Sequence, residues 1–254
     1  MATSTTKTTT LEIDPLKQGR IRLRIIGRTP LYFNSMSSKV MRDLLLGSPK
    51  KTAAEKAAQM KHNPEQEFWD STVRLSDGPT FLGFPAPAIK AAMATAALET
   101  PNVTKTSVKR LVFLPQSHIP IWGVPFMKMD VVRSADINRT PDVRTRAYLP
   151  QWCSEFDIAY VNPPLNASSI VSLVANAGVI VGIGDFRQEK GAGSHGTFQV
   201  TTAEDSTFQD EWDEIVAEGS REAQEDAMRN PIPFDDITEE LLEAVRFERQ
   251  RRAA

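Results

Sequence analysis

Glu155-Phe-Asp-Ile-Ala-Tyr-Val161 alternates like a half-buried strand, with Phe156, Ile158 and Tyr160 on one face and Asp157, Ala159 and Val161 on the other. A loop from Asn162 to Asn166 follows. Ile170, Leu173, Val174 and Ala177 then recur at helical spacing, and Gly178 supplies a helix stop. The next run is Val179-Ile-Val-Gly-Ile-Gly-Asp-Phe-Arg-Gln-Glu-Lys-Gly-Ala-Gly-Ser-His-Gly-Thr-Phe-Gln-Val200, which places five of the chain's 13 glycines between Gly182 and Gly196. It predicts a Gly-rich hairpin leading into a short closing strand, Thr197 to Thr202. Strand, helix, hairpin and strand in this order form the second half of a ferredoxin-like β-α-β-β-α-β unit.

Upstream, Gln18 to Gly27 alternates as well. Ile21, Leu23 and Ile25 form its packing face, and Arg20, Arg22 and Arg24 a row of guanidinium groups. Thr29-Pro30 breaks the run, and Ser35 to Leu46 reads as a helix ended by Gly47. Ser48 to Asn63 is lysine- and alanine-rich, part loop and part exposed helix. Pro64 to Arg74 reads as a helix that can run into a strand, and Asp77-Gly78-Pro79 is a turn. Pro85 and Pro87 open a helix over Ala88 to Leu98, with Ile89, Met93 and Ala96 on one side and Lys90 in the first turns. A cation beside unpaired helix N–H groups suits an anion; it equally suits a solvated face. Val112 to Val124, Met127 to Arg133 and Val143 to Leu149 predict strands. In the last of them Arg144, Arg146 and Tyr148 share a face. That pattern fits phosphate contact and base stacking, and it also fits an exposed sheet face that avoids edge pairing.

The expected class is therefore α+β: a ferredoxin-like, RRM-like core over residues 18–203 with inserted helices and strands. A disordered Thr-rich lead, 1–17, precedes it. An acidic helical tail, 204–254, follows, in which Ile237, Leu241, Leu242, Val245 and Phe247 mark one weakly amphipathic helix. The length, 254 residues, can bury a real core, and 41% hydrophobic with 24% charged residues excludes collagen-like, wholly disordered and disulfide-scaffold chains. The lone Cys153 cannot form an internal disulfide and reads as a small apolar residue in a reducing compartment. Met1 to Thr10 lacks the apolar core of a signal peptide and no run is long enough to span a bilayer, so the expectation is a cytoplasmic protein without membrane partners.

The net charge of -2 conceals a division: residues 204–254 carry a net of -10 and residues 1–203 a net of +8. A basic body suits a polyanionic partner. An acidic tail can shield that body, dock on a neighbouring subunit, or keep the protein soluble. His62, His118 and His195 lie far apart with no metal-ligand spacing, so no metal is expected, and no cofactor motif is present. The Gly-rich run lacks the Gly-Lys-Ser/Thr ending of a nucleotide loop and follows a helix instead of opening one. A loop bearing Arg187, Lys190 and His195 can run along a sugar-phosphate backbone; its glycines can also serve turn geometry alone. His195 is the one candidate for a general base in RNA cleavage, and no catalytic residue is assigned.

Two segments together carry a resemblance. Gly83-Phe-Pro-Ala-Pro-Ala-Ile-Lys-Ala-Ala92 resembles the Pro-x-x-x-hydrophobic-Lys helix start of the RAMP superfamily, the RRM-like subunits of CRISPR effector complexes. Gly182 to Val200 is similar to the Gly-rich loop and following strand of those proteins, and the order of the two motifs and the strand Arg20 to Ile26 also fit. The likeness spans about residues 18–202 in outline. It implies single-stranded RNA bound along a basic face and lateral assembly of identical subunits into filaments. Carried over, Lys90 lies in the helix facing nucleic acid, and Arg187, Lys190, Gly191, Gly193 and His195 form the backbone-gripping loop. The RNA-cleaving members have a loop aspartate after the first strand, and Gly27 to Ser38 contains none. Asp185 and Glu189 make the loop less basic than usual. The lead and tail are foreign to the family core and have the character of bacteriophage members, whose setting is the host cytoplasm.

The expected function is a non-catalytic protein that binds single-stranded RNA, or single-stranded DNA, and oligomerises along the strand. Arg22, Arg24, Arg144 and Arg146 supply charge, Tyr148 a stacking surface, and the Gly-rich loop a backbone track. Two alternatives stand beside it: an endoribonuclease using His195, and an assembly protein whose acidic tail docks on the next subunit.

Overall fold

The computed structural model describes residues 15–47, 52, 60–133, 139–189, 193–201 and 205–253. In chain order the elements are β1 (Lys17–Gly27), β2 (Leu31–Tyr32), α1 (Ser38–Leu46), α2 (Pro64–Asp70), β3 (Val73–Arg74), β4 (Leu82–Pro85), α3 (Ala86–Ala96), α4 (Lys105–Leu111), β5 (Val112–Phe113), β6 (His118–Pro120), β7 (Phe126–Arg133), β8 (Pro141–Leu149), β9 (Cys153–Asn162), α5 (Ala167–Ile180), β10 (Phe198–Thr201), a 3-10 turn (Ser206–Phe208), α6 (Gln209–Glu218), α7 (Arg221–Arg229) and α8 (Asp236–Ala253). The Thr-rich lead up to residue 14, nearly all of the lysine- and alanine-rich stretch, and Lys190 and Gly191 lie outside the described residues.

The alternation in β1 and β9 sets the central sheet. Leu23 pairs across from Phe156 and Ile21 from Ile158, which puts both apolar rows on one face. That face receives α3 through Ile89 and Met93, and α5 through Ile170, Leu173 and Val174; these side chains share one core with Leu23, Phe156 and Ile158, and Ile21 packs against it. Strand order is β10-β1-β9-β5 and every pairing is antiparallel. With α3 between β1 and β5, and α5 between β9 and β10, this is the ferredoxin-like order, and the protein is α+β.

Asn166 opens α5, its side chain accepting from Ser169 N at 2.8 Å. Gly178 does not end the helix as expected. The helix runs on to Ile180, and Gly178 lies inside it because a Cβ there would strike the Phe198 carbonyl of β10. Its missing side chain sets how closely α5 approaches the sheet.

Strands inserted between β1 and β5 and between β5 and β9 build two smaller sheets, β2-β8-β7 and β3-β4-β6. The helices of the acidic tail pack on the body. Trp212 and Ile215 of α6 cover Ile26 and Cys153 on the far face of the central sheet, and burial there pushes the Cys153 thiol up. On α7, the Gln224 amide accepts from Phe81 N and Leu82 N, each at 2.9 Å, and donates to the Ile121 and Gly123 carbonyls at 2.7 and 2.9 Å. One side chain thus acts as a strand edge. The expected apolar stripe of α8 is split: Leu242 is buried with Thr238, while Ile237, Leu241 and Phe247 face outward. Among the described residues no helix is long and apolar enough to cross a membrane, and no His/Cys/Asp/Glu group could hold a metal.

Candidate nucleic-acid interface

The far face of β1 does carry Arg20, Arg22 and Arg24, but it is not a bare row of cations. Asp157 stands directly across from Arg22 and Glu155 across from Arg24. Arg22 donates through Nε and Nη2 to the two Asp157 oxygens at 2.9 and 3.1 Å, and Arg24 Nε donates to Glu155 at 2.8 Å. Arg22's hydrogen bond holds the Asp157 carboxyl below the usual carboxylate range. Arg24 also stacks 4.6 Å over Trp212, so α6 closes this end of the face.

Arg144 and Arg146 part company. Arg144 is exposed and makes no ion pair among the described residues. Arg146 is 2% exposed, which corrects the expectation of a solvated basic stripe. Both faces of β8 are covered at this point, and the guanidinium is sandwiched between the rings of Tyr32 at 4.7 Å and Phe186 at 4.4 Å. Its Nη1 donates to Asp185 at 2.8 Å and its Nη2 to Asp130 at 3.0 Å. Tyr148, also buried, packs edge-on to Tyr32 and against Phe234, with Lys128 over its ring. No face of Tyr148 is open for a base to stack on.

Among its described residues the Gly-rich segment forms no strand before β10. Gly182, Gly184 and Gly196 all have positive φ, and Ile183 N bonds to Gly196 O at 2.9 Å, closing a loop at its neck. The loop is stitched to β2 and its flanks by Gly196 N to Pro30 O at 2.8 Å and Asp185 N to Tyr32 O at 3.1 Å. Asp185 ties the loop to Arg146 and to Asn34, accepting from their side chains at 2.8 and 2.9 Å. His195 lies edge-on to Tyr32 and beside Phe186. Burial, and then Lys128 nearby, lower its pKa, so the imidazole is held neutral.

Arg187 has another setting. With Gly184 and Asp185 it lines a cleft of about 240 Å3, whose other walls are Phe33 to Ser35 and the Phe84-Pro85 corner that opens α3. Its Nε is enclosed without a hydrogen-bond partner among the described residues. Pro85 gives α3 no side-chain cap. A groove of about 730 Å3 adjoins the cleft at Asn34 and Ser35 and runs between α1, α2 and β8, with Lys39 and Arg144 on its walls. The fold thus brings together Arg187, Arg144 and the start of α3. Lys90 lies elsewhere, its Nζ 5.2 Å over the Phe113 ring at the sheet edge. Gly193 packs against Phe186 within the loop. Sequence reading missed Tyr32, Lys128, Asp130 and Phe186, which come from three separate segments, β2, β7 and the Gly-rich loop.

No protein-family model matches the chain. No curated protein matches it either. Among solved structures it is similar to Cmr6 from Pyrococcus furiosus, with 8% identity over 73% of this chain and 98% of that one, at a TM-score of 0.38. A likeness at that level carries no argument; the ferredoxin-like assignment rests on the strand order.

Proposed function

We propose that the chain binds single-stranded nucleic acid, RNA in preference to DNA, as a non-catalytic relative of the RAMP proteins that assembles along the strand. The observation that carries this reading is the cleft in which the two motifs of the resemblance meet, about 100 residues apart in sequence: Arg187, its Nη2 3.5 Å from Glu189 and its Nε enclosed, lines one wall, and the Phe84-Pro85 corner that opens α3 lines the other. Guanidinium N–H groups donate to phosphate oxygens. Along the adjoining groove Arg144 and Lys39 are exposed cations without an ion pair among the described residues, set among Asp43, Glu67, Asp70 and Asp142. His195 supports a packing part: its ring is held among Tyr32, Tyr148 and Phe186, its pKa is lowered by burial, and its Nδ1 is enclosed without a hydrogen-bond partner among the described residues.

Fluorescence anisotropy with labelled single strands and duplexes over a range of salt tests this. Single strands should bind best, RNA above DNA, with Arg187→Ala weakening every sequence about equally and the labelled RNA recovered whole. Equal or stronger binding to duplex, or no binding at low salt, would overturn the reading. So would cleavage that disappears in His195→Ala.

A further inference from the structure

Helix α1 is amphipathic in the wrong sense. Val40, Met41, Leu44 and Leu45 share one side, and Lys39, Arg42 and Asp43 the other. It is the polar side that lines the grooves toward α2, while none of the helix is buried and Leu44 and Leu45 are 73% and 82% exposed. A surface helix normally turns its apolar stripe inward. Elsewhere on the molecule α8 has a second such face, with Ile237 and Phe247 at 67% and 69% exposure and Leu241 between them.

The two faces differ in charge. Lys39 and Arg42 flank the first, against the single Asp43. Asp236, Glu239, Glu240 and Glu243 surround the second before any cation of α8 appears. Pairing α8 with α8, or α1 with α1, sets like charges together; pairing α1 with α8 sets apolar on apolar and opposite charges at the rim.

We propose that the apolar face of α1 in one copy seats on the acidic, apolar face of α8 in the next copy. Each chain then offers one surface of each kind, and such a heterologous contact propagates into an open chain or closes into a ring. Two short helical faces form a small, reversible interface, below the ~1,000 Å2 of stable complexes. Copies bound to one strand would gain from their high local concentration. The inference rests on the self-assembling part of the function proposed above and needs no nucleic acid.

The test is mass by light scattering on nucleic-acid-free full chain at low salt, from micromolar to near-millimolar. The wild type should grow with concentration past the dimer. Lys39→Glu with Arg42→Glu, and separately Glu240→Lys with Glu243→Lys, should each stay at the mass of one chain. Mixed together, the two variants regain both complementary pairings and should assemble again. A wild type that stays monomeric throughout, variants that assemble like the wild type, or a mixture that stays monomeric would each overturn the proposal. All four residues are exposed, and circular dichroism confirms that the variants fold. Anisotropy of the wild type on a short labelled strand keeps the two readings apart: strand binding by a chain that stays monomeric throughout sinks only this interface.

Discussion

Arg146 brings one positive charge between Asp130 and Asp185, which lie on different elements and have no other cation in contact among the described residues. Replacing it by methionine keeps the volume and leaves two carboxylates facing one another, half-buried. We expect a loss of about 3 kcal/mol in urea unfolding, since removing one partner of a buried ionic group strands the others; a loss under ~1 kcal/mol would mean the site rehydrates freely. Arg146→Lys should recover only part, because an ammonium cannot fork to two carboxylates between two rings. His195 titrates in the opposite sense to a paired histidine. Its folded pKa lies below its unfolded value near 6.5, so the unfolded chain takes up the proton first as pH falls. Its contribution is present above that pH and is lost as pH drops through and below it. Unfolding free energy should therefore fall between pH 7 and 5 more steeply in the wild type than in His195→Phe. Equal slopes would show that the ring is solvated.

At the level of elements, Gly178 separates propensity from packing. Alanine in a helix interior is favoured over glycine by up to ~1 kcal/mol. Here the added Cβ meets the Phe198 carbonyl, and we expect Gly178→Ala to lose about 1–3 kcal/mol in thermal or urea unfolding, as overpacked sites do. A stabilised variant would show that α5 can lift off β10 at no cost. The same position shows what sequence could tell and what it could not. The strands β1 and β9 and the helices α3 and α5 were legible because their periods of two and about 3.6 residues are local. The glycine in α5 was misread as a stop because nothing within its own helix reveals the strand that crowds it. Likewise Arg20 to Arg24 read as a positive face, since cross-strand register with Glu155 and Asp157, more than 130 residues away, is a tertiary fact. Arg187 and the start of α3 could be singled out by motif. Their meeting with Phe33 to Ser35 could not.

For the whole molecule, the charge division has an outcome that depends on where the cations are. Arg22, Arg24 and Arg146 are already neutralised within the chain, so few phosphates should be met by the body despite its net charge of +8 over residues 1–203. Arg144→Ala should flatten the slope of log affinity against log salt by about one unit. Arg22→Ala should leave that slope unchanged; a change would place the far face of the sheet in contact with the strand. Removing residues 205–254 should not simply bare a basic surface. It takes away the cover of Ile26 and Cys153 and the Gln224 amide that satisfies four backbone groups, so the shortened chain should be cleaved rapidly by protease under conditions where the full chain resists. Trp212 ends up at the join of tail and body, its indole 5.7 Å from that of Trp122 and beneath the Arg24 guanidinium. Two indoles so close and so fixed couple their excited states, which gives the protein an optical signature of its own. A paired band in circular dichroism, and an emission that shifts to the red when the join opens, would let tail release be watched in real time without attaching any dye.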